Sequence, residues 1–268
     1  MNWTALIIEP DPDEPGCAEV RIDGTIAGRH HRFMLDTGAA RTQVTGNFED
    51  ARPDDVTSGG IFAAEAPHQL VDVRELRVGA IQITHLEVAC VAPSESAVEL
   101  LGMDVLGRYC CEFSFAGARM LARPAACPQA DRPLLRSDRG HALIHVRWGE
   151  IEALGCWDTG AGITVVGQHF FQAHPELFHE PSSSIGTDVT NTSVSTPTFT
   201  IDGPAIGGHQ CAPHRVAVVD LAVPNAHADR PMDMILGYPT LRQADWIMDF
   251  PRDRWTLRPA VGAIAKPI

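Results

Sequence analysis

The chain has 268 residues, of which 44% are hydrophobic, and its formal net charge is -13. This length and hydrophobic content suffice for one large domain or two ordinary ones with a buried core. The acidic excess argues against nucleic acid or an anionic membrane surface as partners, because both require clustered Lys and Arg. We also expect no membrane span, since no run of about 18 apolar residues occurs.

The N-terminus and the cysteines bear on the cellular compartment. Residues 1–17 contain four acidic residues and no basic cluster followed by an apolar run, which does not fit a secretory signal peptide. Seven cysteines at irregular spacing favour a reducing compartment, so we expect a cytoplasmic protein. The adjacent Cys110 and Cys111 are interpreted as small core residues. The histidines lack metal-ligand spacing and are interpreted as surface or satisfied residues.

In the first half, alternating apolar and polar residues predict strands. The predicted strands are 19–26, 31–36, 76–78, 81–83 and 86–91. A glycine-containing stretch lies at 57–62, and residues 112–120 have the pattern of a hairpin. Residues 123–139 contain three prolines and several charges, which predicts a linker between domains.

The second half repeats this order. Strands are predicted at 143–151, 154–158 and 216–219, a glycine-containing stretch at 184–189, and a closing hairpin at 249–257. Two short helices are predicted, over 168–171 and over 239–246. The chain as a whole is predicted to be all-β, with many short strands separated by Gly and Pro.

One nine-residue pattern occurs twice. Residues 36–44 and 158–166 both fit Asp-Thr-Gly-Ala-x-x-Thr-x-Val. Each copy is followed later by an apolar pair and a glycine, with a leucine four residues further on. A duplicated Asp in a glycine turn predicts that two carboxylates are brought together. Such a pair can share one proton and activate a water molecule.

With these motifs, each half resembles a retropepsin-like domain, and the whole resembles a single-chain aspartic peptidase of the pepsin-like type. The resemblance implies two pseudo-symmetric β-barrel domains with short helices and a cleft between them. The N-terminal domain would span 1–122 and the C-terminal domain 140–268, joined by the linker at 123–139. A pseudo-twofold axis would pass between the two Asp turns.

The resemblance also implies the site. Asp36 and Asp158 would form the catalytic dyad. The supporting residues would be Thr37, Gly38, Ala39, Thr159, Gly160 and Ala161. The flap candidates, which would contact substrate, are Gly59, Gly60, Ile61, Gly186 and Thr187. The partner glycine motifs contain Leu101, Gly102, Leu236 and Gly237.

The implied activity is that of an aspartic endopeptidase that needs no metal and no organic cofactor. Its substrate would be a peptide bound as an extended strand, and both catalytic turns would come from one monomer, as an intramolecular pseudo-dimer. Ala39 and Ala161 stand where pepsin-like enzymes often carry a hydroxyl, so we expect a mildly acidic to neutral pH optimum. Three alternatives stay open: a peptide-binding module without efficient turnover, pairing of halves between chains, and Asp-Thr-Gly as a simple turn.

Overall fold

A computed structural model describes residues 2–53, 69–93, 97–187, 193–226 and 228–260. The first half is built almost entirely of strands. These are β1 (Thr4–Ala5), β2 (Ile7–Pro10), β3 (Ala18–Ile26), β4 (Arg29–Leu35), β5 (Gln43–Thr45), β6 (Arg52–Pro53), β7 (Gln69–Val78), β8 (Ile81–Val91), β9 (Leu100–Leu101), β10 (Cys110–Ser114) and β11 (Arg119–Arg123), with one short helix, α1 (Met103–Leu106).

The second half has the same character with more helix. Its strands are β12 (Arg132–Pro133), β13 (Leu135–Arg136), β14 (Ala142–Trp148), β15 (Ile151–Trp157), β16 (Thr164–Gly167), β17 (Phe178–Thr187), β18 (Ser193–Ile201), β19 (Ala205–Ile206), β20 (His209–Gln210), β21 (His214–Val219), β22 (Met234–Leu236), β23 (Ala244–Asp249) and β24 (Arg254–Pro259). The helices are α2 (Gln168–Ala173), α3 (Ala222–Asn225) and α4 (Tyr238–Leu241), with 3-10 turns at Pro175–Leu177 and Phe250–Arg252.

The strands form three sheets. An eight-stranded sheet of the first half has the order β2-β3-β4-β9-β5-β8-β7-β6. A ten-stranded sheet of the second half has the order β17-β18-β21-β16-β22-β15-β14-β19-β20, with β13 paired to β14. The third sheet, β1-β11-β10-β23-β24-β12, contains strands from both halves. The all-β prediction is confirmed.

The sequence repeat has a matching repeat in topology. The strand before each Asp runs parallel to the strand of the apolar pair: Leu35 is opposite Leu101, and Trp157 is opposite Leu236. The strand after each Asp turn also has a parallel neighbour, as β5 pairs with β8 and β16 with β21. The two Asp turns therefore start from equivalent places in the two halves.

The third sheet joins the halves beneath these turns. Strand β10 pairs antiparallel with β23, so the two predicted closing hairpins, which are both present, lie side by side. Trp157, directly before the second Asp, is fully buried and packs with ring centroids 5.1 Å from Phe113 and 5.8 Å from Trp246. The floor under the Asp turns is thus a tightly packed aromatic cluster.

The helix predicted over 239–246 is wrong in its second part. Helix α4 ends at Leu241, and β23 begins at Ala244 between β10 and β24. Trp246 and Ile247 point to opposite faces of β23 and are both buried, which gives a continuous apolar run. Such a run does not distinguish a central strand from a buried helix. The helix predicted over 168–171 is confirmed as α2.

Two further features differ from the predicted elements. The strands predicted at 76–78, 81–83 and 86–91 are parts of the longer hairpin of β7 and β8. The predicted linker is not wholly irregular, because β12 and β13 lie within it and pair with β24 and β14. Over the described ranges, no helix combines the length and the apolar character that a membrane span requires.

The interpretation of Cys110 as a free core residue is wrong. Cys110 on β10 forms a disulfide with Cys127, 17 residues further along the chain. Cys110 and Cys111 differ in pairing because adjacent side chains on a strand point to opposite faces of the sheet. Cys111 is a buried free thiol, as predicted. The disulfide fixes the start of the connection between the halves to the shared sheet.

We expect reduction of this disulfide to lower the free energy of unfolding by about 2–4 kcal/mol, because closing a loop of this length restricts the unfolded chain. Urea unfolding with and without reductant measures the difference, and a Cys127→Ser variant should be insensitive to reductant. Alkylation of the unfolded, unreduced protein should leave two of the seven cysteines unmodified. Modification of all seven would contradict the pairing.

Candidate active site

Each Asp turn begins where a buried strand ends. Asp36 follows β4, and its backbone N–H donates to the Leu101 carbonyl at 3.1 Å. Asp158 follows β15, and its N–H donates to the Leu236 carbonyl at 3.2 Å. The apolar pairs Leu100–Leu101 and Ile235–Leu236 therefore hold the two aspartates at equivalent positions in the two halves.

The glycine after each apolar pair permits close packing against the Asp turn. A Cβ on Gly102 would lie 2.6 Å from the Arg41 carbonyl oxygen, and one on Gly237 would lie 2.6 Å from the Ala161 carbonyl oxygen. Both approaches are too close for any side chain. The Thr of each repeat completes the junction, because the N–H groups of Gly102 and Gly237 donate to Thr42 Oγ1 and Thr164 Oγ1. The partner glycine motifs are thus placed as the repeat predicts.

The two Asp turns meet. The Gly38 N–H donates to Asp36 Oδ1 at 2.9 Å and also to Asp158 Oδ1 at 3.1 Å, so one amide is shared by both carboxylates. The Gly160 N–H donates to Asp158 Oδ1 at 2.8 Å, and the Ala39 N–H donates to Asp36 Oδ1 at 2.9 Å. Two carboxylates that are 122 residues apart in sequence therefore lie side by side.

The glycines of the turns lie against the opposite carboxylates. A Cβ on Gly38 would lie 2.6 Å from Asp158 Oδ2, and a Cβ on Gly160 would lie 2.6 Å from Asp36 Cγ. Both positions therefore require the absence of a side chain. Each half supplies the glycine that accommodates the aspartate of the other half.

The threonines lock the turns together. The Thr37 N–H donates to Thr159 Oγ1, and the Thr159 N–H donates to Thr37 Oγ1, both at 3.1 Å. The Thr37 hydroxyl in turn donates to the Trp157 carbonyl at 3.0 Å. Both threonines are buried, so these bonds are made away from water, where an unpaired polar group is costly.

The electrostatics differ between the two aspartates. Burial and the neighbouring Asp158 carboxylate raise the pKa of Asp36, which is 9% exposed. Burial also raises the pKa of Asp158, but the Gly160 and Gly38 N–H groups and the nearby His141 oppose that rise. Like charges this close disfavour double ionisation. The arrangement therefore favours one proton shared by the two carboxyls.

Ala39 and Ala161 hold the Asp turns in place through their backbone carbonyls. The carbonyl of Ala39 accepts from the Met103 N–H, and that of Ala161 accepts from the Tyr238 N–H, both at 2.9 Å. Apart from the proton that the two carboxyls share, the hydrogen bonds donated to the aspartates within the described part of the chain come from backbone amides. The ionised pair thus lacks a side-chain hydroxyl donor there.

The flap candidates are only partly within the structure. Gly59, Gly60 and Ile61 lie outside the described residues. Gly186 and Thr187 form the end of β17, opposite Val194 and Ser193 of β18. They belong to the long hairpin of β17 and β18, and their contact with substrate stays a prediction.

Sequence reasoning missed the residues around a cavity beside the first Asp turn. This cavity has a volume of about 390 Å³, and its walls include Thr37, Ala39, Arg108, Arg139 and His141. His141 on this wall is half-buried, and burial lowers its pKa against the opposing effect of the nearby Asp158.

Comparisons with known proteins agree with this geometry. Residues 22–108 match the family model described as gag-polyprotein putative aspartyl protease. The fold is similar to the crystal structure of aspartic proteinase from Irpex lacteus, with a TM-score of 0.55 and 13% sequence identity, over 92% of this chain and 96% of that one. No curated protein matches the chain. The resemblance to aspartic peptidases is confirmed in the sequence of the first half and in the fold of the whole.

Proposed function

We propose that this chain, which has the two-domain fold of an aspartic proteinase, is an aspartic endopeptidase whose catalytic dyad is Asp36 and Asp158. The observation that carries the proposal is the Gly38 amide that donates to both carboxylates. A scaffold with no catalytic role has no need to hold two buried carboxylates together, because their mutual repulsion destabilises the fold.

The two aspartates are proposed to take different roles. Asp158, which accepts hydrogen bonds from the Gly160 and Gly38 amides, is the general base that removes a proton from a bound water. Asp36, which keeps its proton, donates a hydrogen bond to the carbonyl oxygen of the scissile peptide. One proton shared by two adjacent carboxylates is the arrangement known for aspartic proteases as a class, and the two titrations belong to the pair.

The reaction then balances without a covalent enzyme intermediate. The water oxygen bonds to the carbonyl carbon while its proton passes to Asp158 and the Asp36 proton passes to the carbonyl oxygen. The tetrahedral diol collapses as the proton on Asp158 moves to the peptide nitrogen, and the C–N bond breaks. The diol returns a proton to Asp36, which restores the dyad and leaves a carboxylic acid and an amine.

The substrate is proposed to bind as an extended strand across the turns. Backbone donors and acceptors of a β-rich cleft suit strand addition, with pockets on alternate sides for side chains. Both Asp turns come from one chain, so the site is complete in a monomer. Light scattering of a preparation that cleaves peptide tests this, because activity confined to dimers would indicate exchange of halves between chains.

We expect kcat/KM for peptide cleavage to be maximal above about pH 4, the ordinary pKa of a carboxyl group. Activity requires one proton on the pair: it falls at low pH as Asp158 is protonated and falls at high pH as Asp36 ionises. Burial raises the pKa values of both aspartates, so both limbs of the pH profile shift to higher pH. A profile measured from pH 3 to 8 checks this, and a maximum below about pH 3 would contradict it.

The proposed function is tested by digesting a peptide library from a whole proteome and identifying the products by mass spectrometry. The wild-type chain should create new termini at internal peptide bonds, and the Asp36→Asn variant should not. Equal product patterns for wild type and variant across pH 3 to 8 would leave the peptide-binding module as the better interpretation.

A further inference from the structure

The cavity lies beside the first Asp turn, because Thr37 and Ala39 of that turn line it. One wall is formed by Ala39 and Ala40, and the Ala39 amide itself donates to Asp36. The second wall comes from α1 and Arg108, and the third from residues 136–141, which precede β14. Both halves thus contribute, and a substrate side chain close to the scissile bond would reach this space.

Two arginines on these walls form no direct ion pair with a described residue, although the Arg108 charge acts on the nearby Asp104. Arg108 and Arg139 are exposed, and each uses one N–H on a backbone carbonyl: Arg108 Nε donates to Asp104 at 2.6 Å, and Arg139 Nη2 to Ala226 at 3.0 Å. Neither guanidinium contacts a carboxylate among the residues that the structure covers. Their remaining N–H groups are available to a ligand, and arginine donors suit a carboxylate.

The other charged groups on the walls do not cancel this positive charge. Arg136 is already neutralised by Asp253 at 2.7 Å, and it holds the wall in place by donating to the carbonyls of Gly140 and Phe250. Asp104 is the acidic residue of the lining, but its Oδ1 accepts from both the N–H and the hydroxyl of Thr42. Burial raises the pKa of Asp104, while its hydrogen bonds and the nearby Arg108 oppose that rise, so Asp104 offsets part of the positive charge of Arg108.

From this charge pattern we infer that the cavity binds a carboxylate of the substrate through Arg108 and Arg139, which makes the enzyme selective for acidic peptides. The carboxylate would come from a Glu or Asp side chain near the scissile bond or from the free C-terminus of the peptide. The inference rests on the proposed function, because residues of the first Asp turn line the cavity. Because the net charge of the chain is -13, attraction for such a substrate depends on a local positive site of this kind.

The test uses one peptide that the wild type cleaves, with each position near the scissile bond changed in turn to Glu, Gln or Leu. At one position, Glu should be preferred to Gln by about tenfold in kcat/KM, and the preference should shrink at high salt. Arg108→Gln and Arg139→Gln should each reduce the preference, and the double variant should remove it. The matched control is Arg29→Gln, an exposed arginine about 20 Å along β4 from Asp36.

Peptides with a free or an amidated C-terminus separate the two sources of the carboxylate. A preference that disappears on amidation assigns the cavity to the C-terminus, and one that persists assigns it to a side chain. The inference is overturned if Glu and Gln peptides are cleaved equally, or if the double arginine variant keeps the full preference.

Failure of the proposed function can be told apart from failure of this inference. Binding of fluorescent Glu and Gln peptides to the Asp36→Asn chain is measured in parallel. Absence of cleavage by the wild type, together with tighter binding of the Glu peptide that depends on Arg108 and Arg139, would overturn the peptidase and support the carboxylate site. Cleavage without any preference for acidic peptides would support the peptidase and overturn the carboxylate site.

Discussion

Replacing either aspartate by asparagine should lower kcat/KM for peptide cleavage by at least about 10³-fold, because general acid–base catalysis of this kind contributes 10²- to 10⁴-fold and both members act together. In Asp158→Asn no group removes the proton from water. In Asp36→Asn the remaining carboxylate has no protonated partner to polarise the carbonyl. Steady-state kinetics on one defined peptide measure both losses.

The loss in Asp36→Asn should occur without loss of the fold. The pKa of Asp36 is raised in the folded protein, so the folded state holds a proton that the unfolded chain releases above about pH 3.9. Wild-type stability therefore falls as pH rises from that value through the raised pKa, by up to about 1.4 kcal/mol per pH unit. Asparagine has no such ionisation. The variant should gain stability relative to wild type at neutral pH, and this gain should vanish below about pH 4.

A matched control is Asp72→Asn, which removes an exposed carboxylate that pairs with Arg52. It should leave both kcat/KM and the pH dependence of stability within error of wild type, since exposed ion pairs contribute little. If Asp36→Asn retained wild-type cleavage, or if Asp72→Asn lost as much activity, the dyad assignment would be wrong.

Gly160→Ala should lower kcat/KM by about 100-fold or more while the fold is kept. The added Cβ would lie 2.6 Å from Asp36 Cγ, a distance that no real side chain tolerates. The Asp36 carboxylate would have to move away from the Gly38 and Ala39 amides that now hold it. A displacement of about 1 Å at reacting atoms costs on the order of 10²-fold in rate. Gly38→Ala should act in the same way on Asp158.

The control for this substitution is Gly149→Ala, at a hairpin turn between β14 and β15. Gly149 has φ of +59° and open space where a Cβ would be, so alanine is strained there but meets no neighbour. It should cost about 1–2 kcal/mol of stability and leave kcat/KM unchanged. Urea unfolding and peptide kinetics on the same samples make the comparison. Equal activity in Gly160→Ala and wild type would show that the glycine contact does not position Asp36.

Much of the site could be predicted because its signal is local and occurs twice. The Asp-Thr-Gly turn, the apolar pair and its glycine lie within short segments, and the repeat indicates that the two copies occupy equivalent places. The alternating pattern of β3, in which every second residue is buried, is also readable from sequence alone. These features are sufficient to predict that Asp36 and Asp158 lie together.

The features that were not predicted depend on contacts between distant segments. The disulfide joins Cys110 to a residue of the connecting segment, and no spacing rule indicated the pair. Strand β23 was interpreted as helix because its two buried faces depend on neighbours, β10 and β24, from both halves. Arg108 and Arg139 are 31 residues apart and meet only at the cavity between the halves. Each of these is a tertiary effect that local periodicity does not encode.

The sharing of a proton by the two carboxylates is tested by following the ¹³Cγ signals of the aspartates by NMR as a function of pH, with Asp36→Asn and Asp158→Asn used for assignment. The Asp36 signal should titrate well above the ordinary pKa of about 3.9, and this midpoint should fall when Asp158 becomes asparagine. Independent titration of both signals near the ordinary value, with neither responding to the other substitution, would contradict the account.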